Sequence, residues 1–124
     1  MARIFVVEDN ESLREAVVSY LRLADHEVVE FAGASRVVEA VDTRPPDLLI
    51  LDVGLRGSMG GDELARVLQA EMEVSVIFLT GYSRSEVARK TSEVRGARIL
   101  TKPVLSETLY AEVRAALADK PKGP

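Results

Sequence analysis

Five short runs of apolar, largely β-branched residues alternate along the chain with stretches whose apolar residues recur at helical spacing. The apolar runs predict strands. Three of them are almost continuously apolar, which is typical of a parallel sheet covered on both faces. The predicted strands are residues 3–8, 27–31, 47–52, 75–80 and 97–101.

The stretches that follow the strands predict five amphipathic helices. Asn10 or Glu11 can begin the first helix, and Ser35 can cap the second. Val38 is one of the predicted apolar positions of the second helix. The fourth helix covers about residues 83–94 and has the thinnest apolar face. Its predicted inward positions are Val87, Ala88, Thr91 and Val94.

A strand followed by a helix therefore occurs five times in succession. Helical connections between strands imply parallel pairing and right-handed crossovers. Five units are too few for a closed barrel of eight, so the predicted fold is a doubly wound α/β sheet of five strands and five helices. The pattern alone leaves the order of the strands in the sheet open.

Length and composition narrow the class of protein. The chain has 124 residues, enough for one domain, and we expect residues 1–118 to form it and residues 119–124 to be a flexible tail. It has no cysteine, which excludes disulfides, thiolate metal sites and cysteine nucleophiles. The net charge of −4 disfavours nonspecific nucleic-acid binding. No apolar run approaches a membrane span and no signal peptide is visible, so we expect a cytoplasmic protein.

Polar residues are concentrated where the predicted strands end. Glu8 and Asp9 end the first strand, Asp52 the third and Thr80 the fourth, and Lys102 follows the fifth. Ligands of open α/β sheets bind beyond the carboxyl ends of the strands. We therefore expect three carboxylates, one hydroxyl and one ammonium group to converge on one edge of the sheet.

This set of groups suits phosphoryl transfer. Three clustered carboxylates repel one another, and Mg²⁺, which prefers oxygen ligands, relieves that repulsion. A lysine neutralises phosphoryl or carboxylate oxygens, and a carboxylate can attack phosphorus. For any one of these residues taken alone, the better interpretation is a polar residue that only contacts solvent at the end of a strand. That interpretation does not account for the whole set.

At these strand ends the chain resembles the receiver (CheY-like) domain of two-component response regulators, and the resemblance covers nearly its whole length. The sequence segments that carry it are VVEDN at 6–10, LD at 51–52, LTGY at 79–82 and TKP at 101–103. The resemblance implies a flavodoxin-like sheet with the strand order 2-1-3-4-5. In that order the first and third strands are neighbours at the point where the order reverses.

The resemblance also assigns roles to individual residues. Asp52 matches the phosphoacceptor, and together with Asp9 and the backbone carbonyl of Gly54 it matches the ligands of a Mg²⁺ ion, with Glu8 acting through water.

Thr80 matches the hydroxyl that moves toward the phosphoryl group, and Lys102 matches the lysine that contacts the acceptor or the phosphoryl oxygens. The Lys102–Pro103 peptide bond is expected to be cis, a geometry largely confined to bonds that precede proline.

The implied function is that of a signalling domain rather than a turnover enzyme. Asp52 takes a phosphoryl group from a phosphohistidine, and the acyl phosphate is then hydrolysed. The implied donor is a sensor histidine kinase or a histidine phosphotransfer protein. A downstream protein would bind the face formed by the fourth helix, the fifth strand and the fifth helix, and a weak homodimer is compatible with the family. Direct contact with nucleic acid or a membrane is not expected.

Two positions and one loop depart from the family pattern. Ile99 stands where an aromatic residue usually takes part in switching, and Arg56 stands where a proline usually follows the acceptor. The segment 54–61 is rich in glycine, which predicts a more mobile loop. Tyr82, two residues after Thr80, is a candidate substitute for the missing aromatic residue.

Two alternative functions remain open. A degenerate receiver would be a binding module that never takes a phosphoryl group, and Ile99 and Arg56 keep this alternative open. A phosphatase of the haloacid-dehalogenase type would need a second aspartate two residues after the nucleophile, where this chain has Gly54. His26, the only histidine, is interpreted as a surface loop residue rather than as a relay histidine.

Overall fold

The computed structural model describes residues 1–57, 59–81 and 84–119. The predicted alternation of strands and helices is confirmed. The strands are β1 (Arg3–Val7), β2 (Glu27–Phe31), β3 (Leu48–Asp52), β4 (Ser75–Thr80) and β5 (Arg98–Thr101). The helices are α1 (Glu11–Leu23), α2 (Val37–Thr43), α3 (Gly61–Gln69), α4 (Arg84–Lys90) and α5 (Ser106–Ala118). No helix within the described ranges is long and apolar enough to cross a membrane.

The five strands form one parallel sheet in the order β2-β1-β3-β4-β5. The order implied by the resemblance is therefore confirmed. β1 pairs with β2 on one side and with β3 on the other, so the order reverses between β1 and β3. Because all strands run in the same direction, their carboxyl ends lie at one edge of the sheet.

The starts of the first two helices show where local prediction succeeded and where it failed. The Asn10 side chain accepts a hydrogen bond from the Leu13 backbone N–H (2.9 Å), so the predicted start of α1 is confirmed. The prediction that Ser35 caps α2 was wrong. Ser35 lies inside a 3-10 turn (Ala34–Arg36), and α2 begins after it without a side-chain cap. Val38 is 39% exposed, because its neighbour Val37 takes the inward position.

The sheet separates two apolar clusters that have no buried member in common. Alternate residues of a strand point to opposite faces, so Phe5 and Val7 join one cluster while Ile4 and Val6 join the other. We call them the α2–α4 cluster and the α1/α5 cluster after the helices that cover them. Each helix buries one apolar stripe against the sheet, which is the usual origin of helix stability in a globular fold.

α4 is held to the sheet by few apolar side chains, as predicted. Val87 is fully buried, but Ala88 is exposed, and its predicted inward position was wrong. The buried Thr91 follows the helix, and its hydroxyl donates a hydrogen bond to the Val87 carbonyl oxygen (2.8 Å). Val94, in the turn after the helix, completes the anchorage. A helix with this little buried apolar surface belongs to the less stable parts of a fold.

His26 lies in the loop between α1 and β2, as predicted, and is half-buried there. Its Nδ1 atom accepts a hydrogen bond from the Ala2 backbone N–H (3.1 Å), which joins the start of the chain to the turn between α1 and β2. Burial, followed by the positive charge of the amino terminus, lowers the pKa of His26 below its ordinary value of 6.5, although Asp25 opposes the shift. The neutral imidazole is therefore the form that the folded protein favours.

His26 should make the fold less stable in mild acid. As the pH falls through about 6.5, the unfolded chain takes up a proton that the folded imidazole resists, so the free energy of unfolding should decrease. Above that pH the contribution should be fully present. Urea denaturation at pH 7.5 and pH 5.5 would measure the loss in the wild type and in His26→Asn, whose side-chain oxygen can still accept the Ala2 hydrogen bond. We expect a smaller loss in the variant; equal losses would contradict the prediction.

Candidate functional site

The carboxyl edge of the sheet brings the predicted polar groups into one place. Glu8 and Asp9 directly follow β1, while Asp52 and Thr80 are the last residues of β3 and β4. The strand register aligns Asp52 with Leu79 and Thr80 with Thr101, so that Lys102 follows at the same level.

Asp52 lies at the centre of this group. Its side chain is only 13% exposed, and its Oδ2 atom is 2.9 Å from Lys102 Nζ. Its Oδ1 atom accepts a hydrogen bond from the Gly54 backbone N–H (2.8 Å). Both carboxylate oxygens are thus held by donors, which fixes the orientation of the group.

Lys102 reaches the site from the loop after β5. The Lys102–Pro103 bond is cis, as predicted, and the Lys102 backbone N–H donates to the Thr80 carbonyl oxygen (2.7 Å). Burial of the ammonium group opposes its charge, but the hydrogen bond and charge of Asp52, and then the charge of Glu8, outweigh that effect. The pKa of Lys102 is therefore raised, and the side chain is a permanent cation at neutral pH. The Thr80 side chain is fully buried at the neighbouring strand end.

Glu8 is a buried acid with an unusual environment. Its side chain is 0% exposed, and its Oε2 atom accepts a hydrogen bond from the Asn10 backbone N–H (3.0 Å). Its Oε1 atom has no hydrogen-bond donor, although Lys102 Nζ lies 3.5 Å away. Burial, which the negative charge of Asp52 reinforces, raises the pKa of Glu8 against the opposing effect of the Asn10 hydrogen bond. A buried carboxylate oxygen without a donor is costly unless something else binds it.

Asp9 has a partner that the sequence did not reveal. Arg56 Nε donates a hydrogen bond to Asp9 Oδ2 (2.9 Å) across the mouth of the site. This guanidinium lowers the pKa of Asp9 below its usual range. Loop residues 47 positions apart in the chain carry no pattern that predicts such a pair, so only the folded structure could show it.

Glu8, Asp9 and Asp52 together can hold a metal ion. Each offers a carboxylate oxygen, and these three atoms lie within 4.8 Å of one another. The fully buried Oε1 atom of Glu8, which lacks a donor, is an independent indication that a cation or its bound water belongs there. An all-oxygen, carboxylate-rich set suits Mg²⁺ or a similar hard divalent cation.

The backbone of the β3–α3 loop passes very close to the site. The Gly61 backbone N–H donates to the Val53 carbonyl oxygen (3.2 Å), which closes the loop at the start of α3. A Cβ atom on Gly61 would lie 2.0 Å from the carbonyl oxygen of Asp52. Only glycine therefore allows α3 to begin this close to the acceptor strand. From the sequence, Gly61 was interpreted only as part of a mobile, glycine-rich loop. Its role in packing could not be predicted from the sequence.

The predictions for Gly54, Ile99 and Tyr82 are not confirmed by the structure. Gly54 lies beside Asp52, where its backbone carbonyl was predicted to bind metal; the contact that the structure shows is the donation from its N–H. Ile99 is partly buried and packs against the α2–α4 cluster. Tyr82 lies outside the described residues.

Comparison with known proteins identifies the family. The family model for the response regulator receiver domain matches residues 4–114. The response regulator receiver protein CpdR of Brucella abortus is 28% identical over 118 residues, covering 94% of this chain and 98% of CpdR. A cyclic di-GMP phosphodiesterase of Thermotoga maritima is 30% identical over 118 residues, covering 94% of this chain but only 31% of that protein.

A solved structure agrees with this assignment. The chemotaxis response regulator CheY4 of Vibrio cholerae superimposes with a TM-score of 0.83 at 25% identity, covering 94% of this chain and 99% of that one. The family match, the strand order and the acidic edge agree with one another. The chain belongs to the receiver domain family of two-component response regulators.

Proposed function

We propose that this receiver domain accepts a phosphoryl group on Asp52 from a phosphohistidine, in a reaction that depends on Mg²⁺. The observation that carries the proposal is the position of Asp52: it ends the central strand, is held by Lys102 at 2.9 Å, and lies beside two further carboxylates. The donor would be a sensor histidine kinase or a histidine phosphotransfer protein. A signalling role needs only this transfer and the later hydrolysis of the acyl phosphate.

The proposed transfer exchanges one bond to phosphorus for another. A carboxylate oxygen of Asp52 attacks phosphorus, the phosphorus–nitrogen bond of the donor breaks, and its electron pair returns to the imidazole. Lys102 and the Gly54 N–H orient the carboxylate before the attack. When the signal ends, water attacks the phosphorus of the acyl phosphate, and the products are inorganic phosphate and the free Asp52 carboxylate.

The proposed metal ligands are Asp9, Asp52 and the backbone carbonyl of Gly54, with Glu8 acting through water. When bound there, Mg²⁺ supplies positive charge that neutralises the phosphoryl oxygens. The support for these ligands is the spacing of the three carboxylates and the donor-free Oε1 atom of the buried Glu8.

We further propose that phosphorylation changes the surface formed by α4, β5 and α5, which a downstream protein reads. Thr80 is the proposed link, because it ends the strand next to β3 and its backbone carbonyl is bonded to Lys102. The thin anchorage of α4 by Val87 supports the choice of this surface, since weakly held elements are those that shift between states. Tyr82, two residues after Thr80, is the proposed substitute for the aromatic residue that Ile99 replaces on β5.

The extent of the unit and its output are also proposals. We take residues 1–118 as the receiver, because α5 ends at Ala118, and 119–124 as a tail. The chain spans nearly the whole of CpdR but less than a third of the Thermotoga phosphodiesterase. Receivers in this family therefore occur alone and joined to other domains, and we propose that output here is binding to another protein in the cytoplasm, with a weak homodimer as one form of that binding.

One observation favours a second candidate function. Arg56 already binds Asp9, a proposed metal ligand, so the domain could act as a binding module that never takes a phosphoryl group. The presence of Asp52 and Lys102 in contact argues against this alternative.

Intact-mass measurement would distinguish the two functions. The protein would be incubated with a small acyl-phosphate donor, with Mg²⁺ or with a chelator. We expect one added phosphoryl group with Mg²⁺ and none with the chelator. A mass that stays unchanged with Mg²⁺, and also with a phosphorylated histidine kinase as donor, would favour the binding module.

A further inference from the structure

The contact between Arg56 and Asp9 joins an exposed cation to a proposed metal ligand. The Arg56 side chain is 88% exposed, whereas that of Asp9 is 23% exposed. The guanidinium therefore covers the carboxylate from the solvent side, which is also the side from which an ion enters. The contact occupies the Oδ2 atom of Asp9, one of the two oxygens that this residue can offer to an ion.

The flanking residues hold Arg56 at this position. Leu55 is buried and belongs to the α2–α4 cluster, so the residue before Arg56 is anchored. Gly57 has a φ of 118°, a conformation that strongly favours glycine and turns the chain immediately after Arg56. The arginine thus lies between a buried apolar residue and a bend in the chain.

Arg56 adds a second positive charge to the group of three carboxylates, Glu8, Asp9 and Asp52. Lys102 lies near two of the three carboxylates, those of Asp52 and Glu8. Arg56 contacts the third, that of Asp9. The protein therefore already supplies two positive charges for three negative ones. A divalent cation that enters the group meets a guanidinium at one of its ligands.

We propose that Arg56 is a built-in competitor of the divalent cation: binding of the ion displaces the guanidinium from Asp9, and the cost of that displacement weakens the affinity for the ion. This inference rests on the metal site proposed above. An exposed ion pair contributes little, so the expected weakening is about two- to fivefold. Displacement and ion binding are coupled reciprocally, since the guanidinium contact and the bound ion disfavour each other at equilibrium.

Mg²⁺ titration of three proteins would test the proposal by calorimetry. Arg56→Gln removes the charge but keeps a polar side chain. Arg44→Gln is the matched control, because Arg44 is also an exposed arginine in an ion pair, with Glu27 at the opposite end of the sheet. Both variants lower the net charge by one unit, and charges that far from the site are screened at physiological salt. We expect Arg56→Gln to bind Mg²⁺ about two- to fivefold more tightly than the wild type. Arg44→Gln should bind it as the wild type does.

A second measurement follows the displacement itself. The Nε–H resonance of Arg56 would be assigned by its loss in the variant and followed by NMR as Mg²⁺ is added to the wild type. We expect it to move toward the position typical of solvated arginines. Equal affinities in the wild type and Arg56→Gln, or an Nε–H signal that does not respond to bound Mg²⁺, would overturn the competition. Absence of Mg²⁺ binding in all three proteins would instead overturn the proposed metal site.

Discussion

Replacement of Asp52 with asparagine should abolish the Mg²⁺-dependent phosphoryl gain while the domain stays folded. An amide cannot attack phosphorus as a carboxylate does, so no acyl phosphate can form at this position. The fold should tolerate the change, because asparagine has nearly the same shape and removes one of three mutually repelling negative charges. Lys102 keeps Glu8 as a nearby anion after the substitution.

The control for this prediction is Asp47→Asn, the same substitution just before the other end of β3. Asp47 accepts a hydrogen bond from the Arg3 backbone N–H (2.9 Å) and lies at the edge opposite the site. We expect the intact mass of Asp47→Asn to increase by one phosphoryl group, as in the wild type. A phosphoryl gain that persists in Asp52→Asn would place the acceptor on another residue.

Replacement of Gly61 with alanine should destabilise the fold and disturb the site together. The added Cβ would lie 2.0 Å from the carbonyl oxygen of Asp52 and 3.1 Å from the Cα atom of Val53. Both are backbone atoms, so no side-chain rotation relieves the contact. α3 must move away from β3, and the hydrogen bond from Gly61 to Val53 must lengthen. We expect a loss of about 1–3 kcal/mol in the free energy of unfolding, the range typical of overpacking.

Gly33→Ala is the matched control for this substitution. Gly33 has an extended backbone with φ of −164°, and a Cβ there would meet no atom within 4 Å. Urea denaturation should therefore give a free energy of unfolding near or slightly above that of the wild type, since alanine restricts the unfolded chain. The Mg²⁺ affinity should fall only in Gly61→Ala, because only there does the added Cβ press on the backbone of Asp52. Equal stability of the two variants would contradict the close approach.

The strands, the sheet class and the acidic edge could be predicted from the sequence because they depend on local patterns. Continuous apolar runs indicate strands that are buried on both faces of a sheet. In a parallel sheet, the carboxyl ends of all strands lie at the same edge. Glu8, Asp9, Asp52 and Lys102 could thus be grouped by their positions along the chain, and Thr80 could be placed at the neighbouring strand end. The strand order came from the resemblance, since the pattern itself does not determine which strands pair.

The features that could not be predicted from the sequence depend on contacts between distant segments of the chain or on the exact residue at which a helix begins. The Arg56–Asp9 pair and the close packing of Gly61 arise only once the β3–α3 loop has closed over the site. Ser35 has the chemistry of a cap, but the chain makes a 3-10 turn there and enters α2 two residues later. His26 gained a partner from the first residues of the chain, which no periodicity indicates.

The two apolar clusters on opposite faces of the sheet have a consequence for how this domain can change over time. Because they have no buried residue in common, substitutions on opposite faces should have nearly additive effects on stability. A lineage can then remodel the α2–α4 side without compensating changes around α1 and α5. The sheet thus divides the core into two layers that can be repacked separately, and the proposed surface of α4, β5 and α5 takes one helix from each layer.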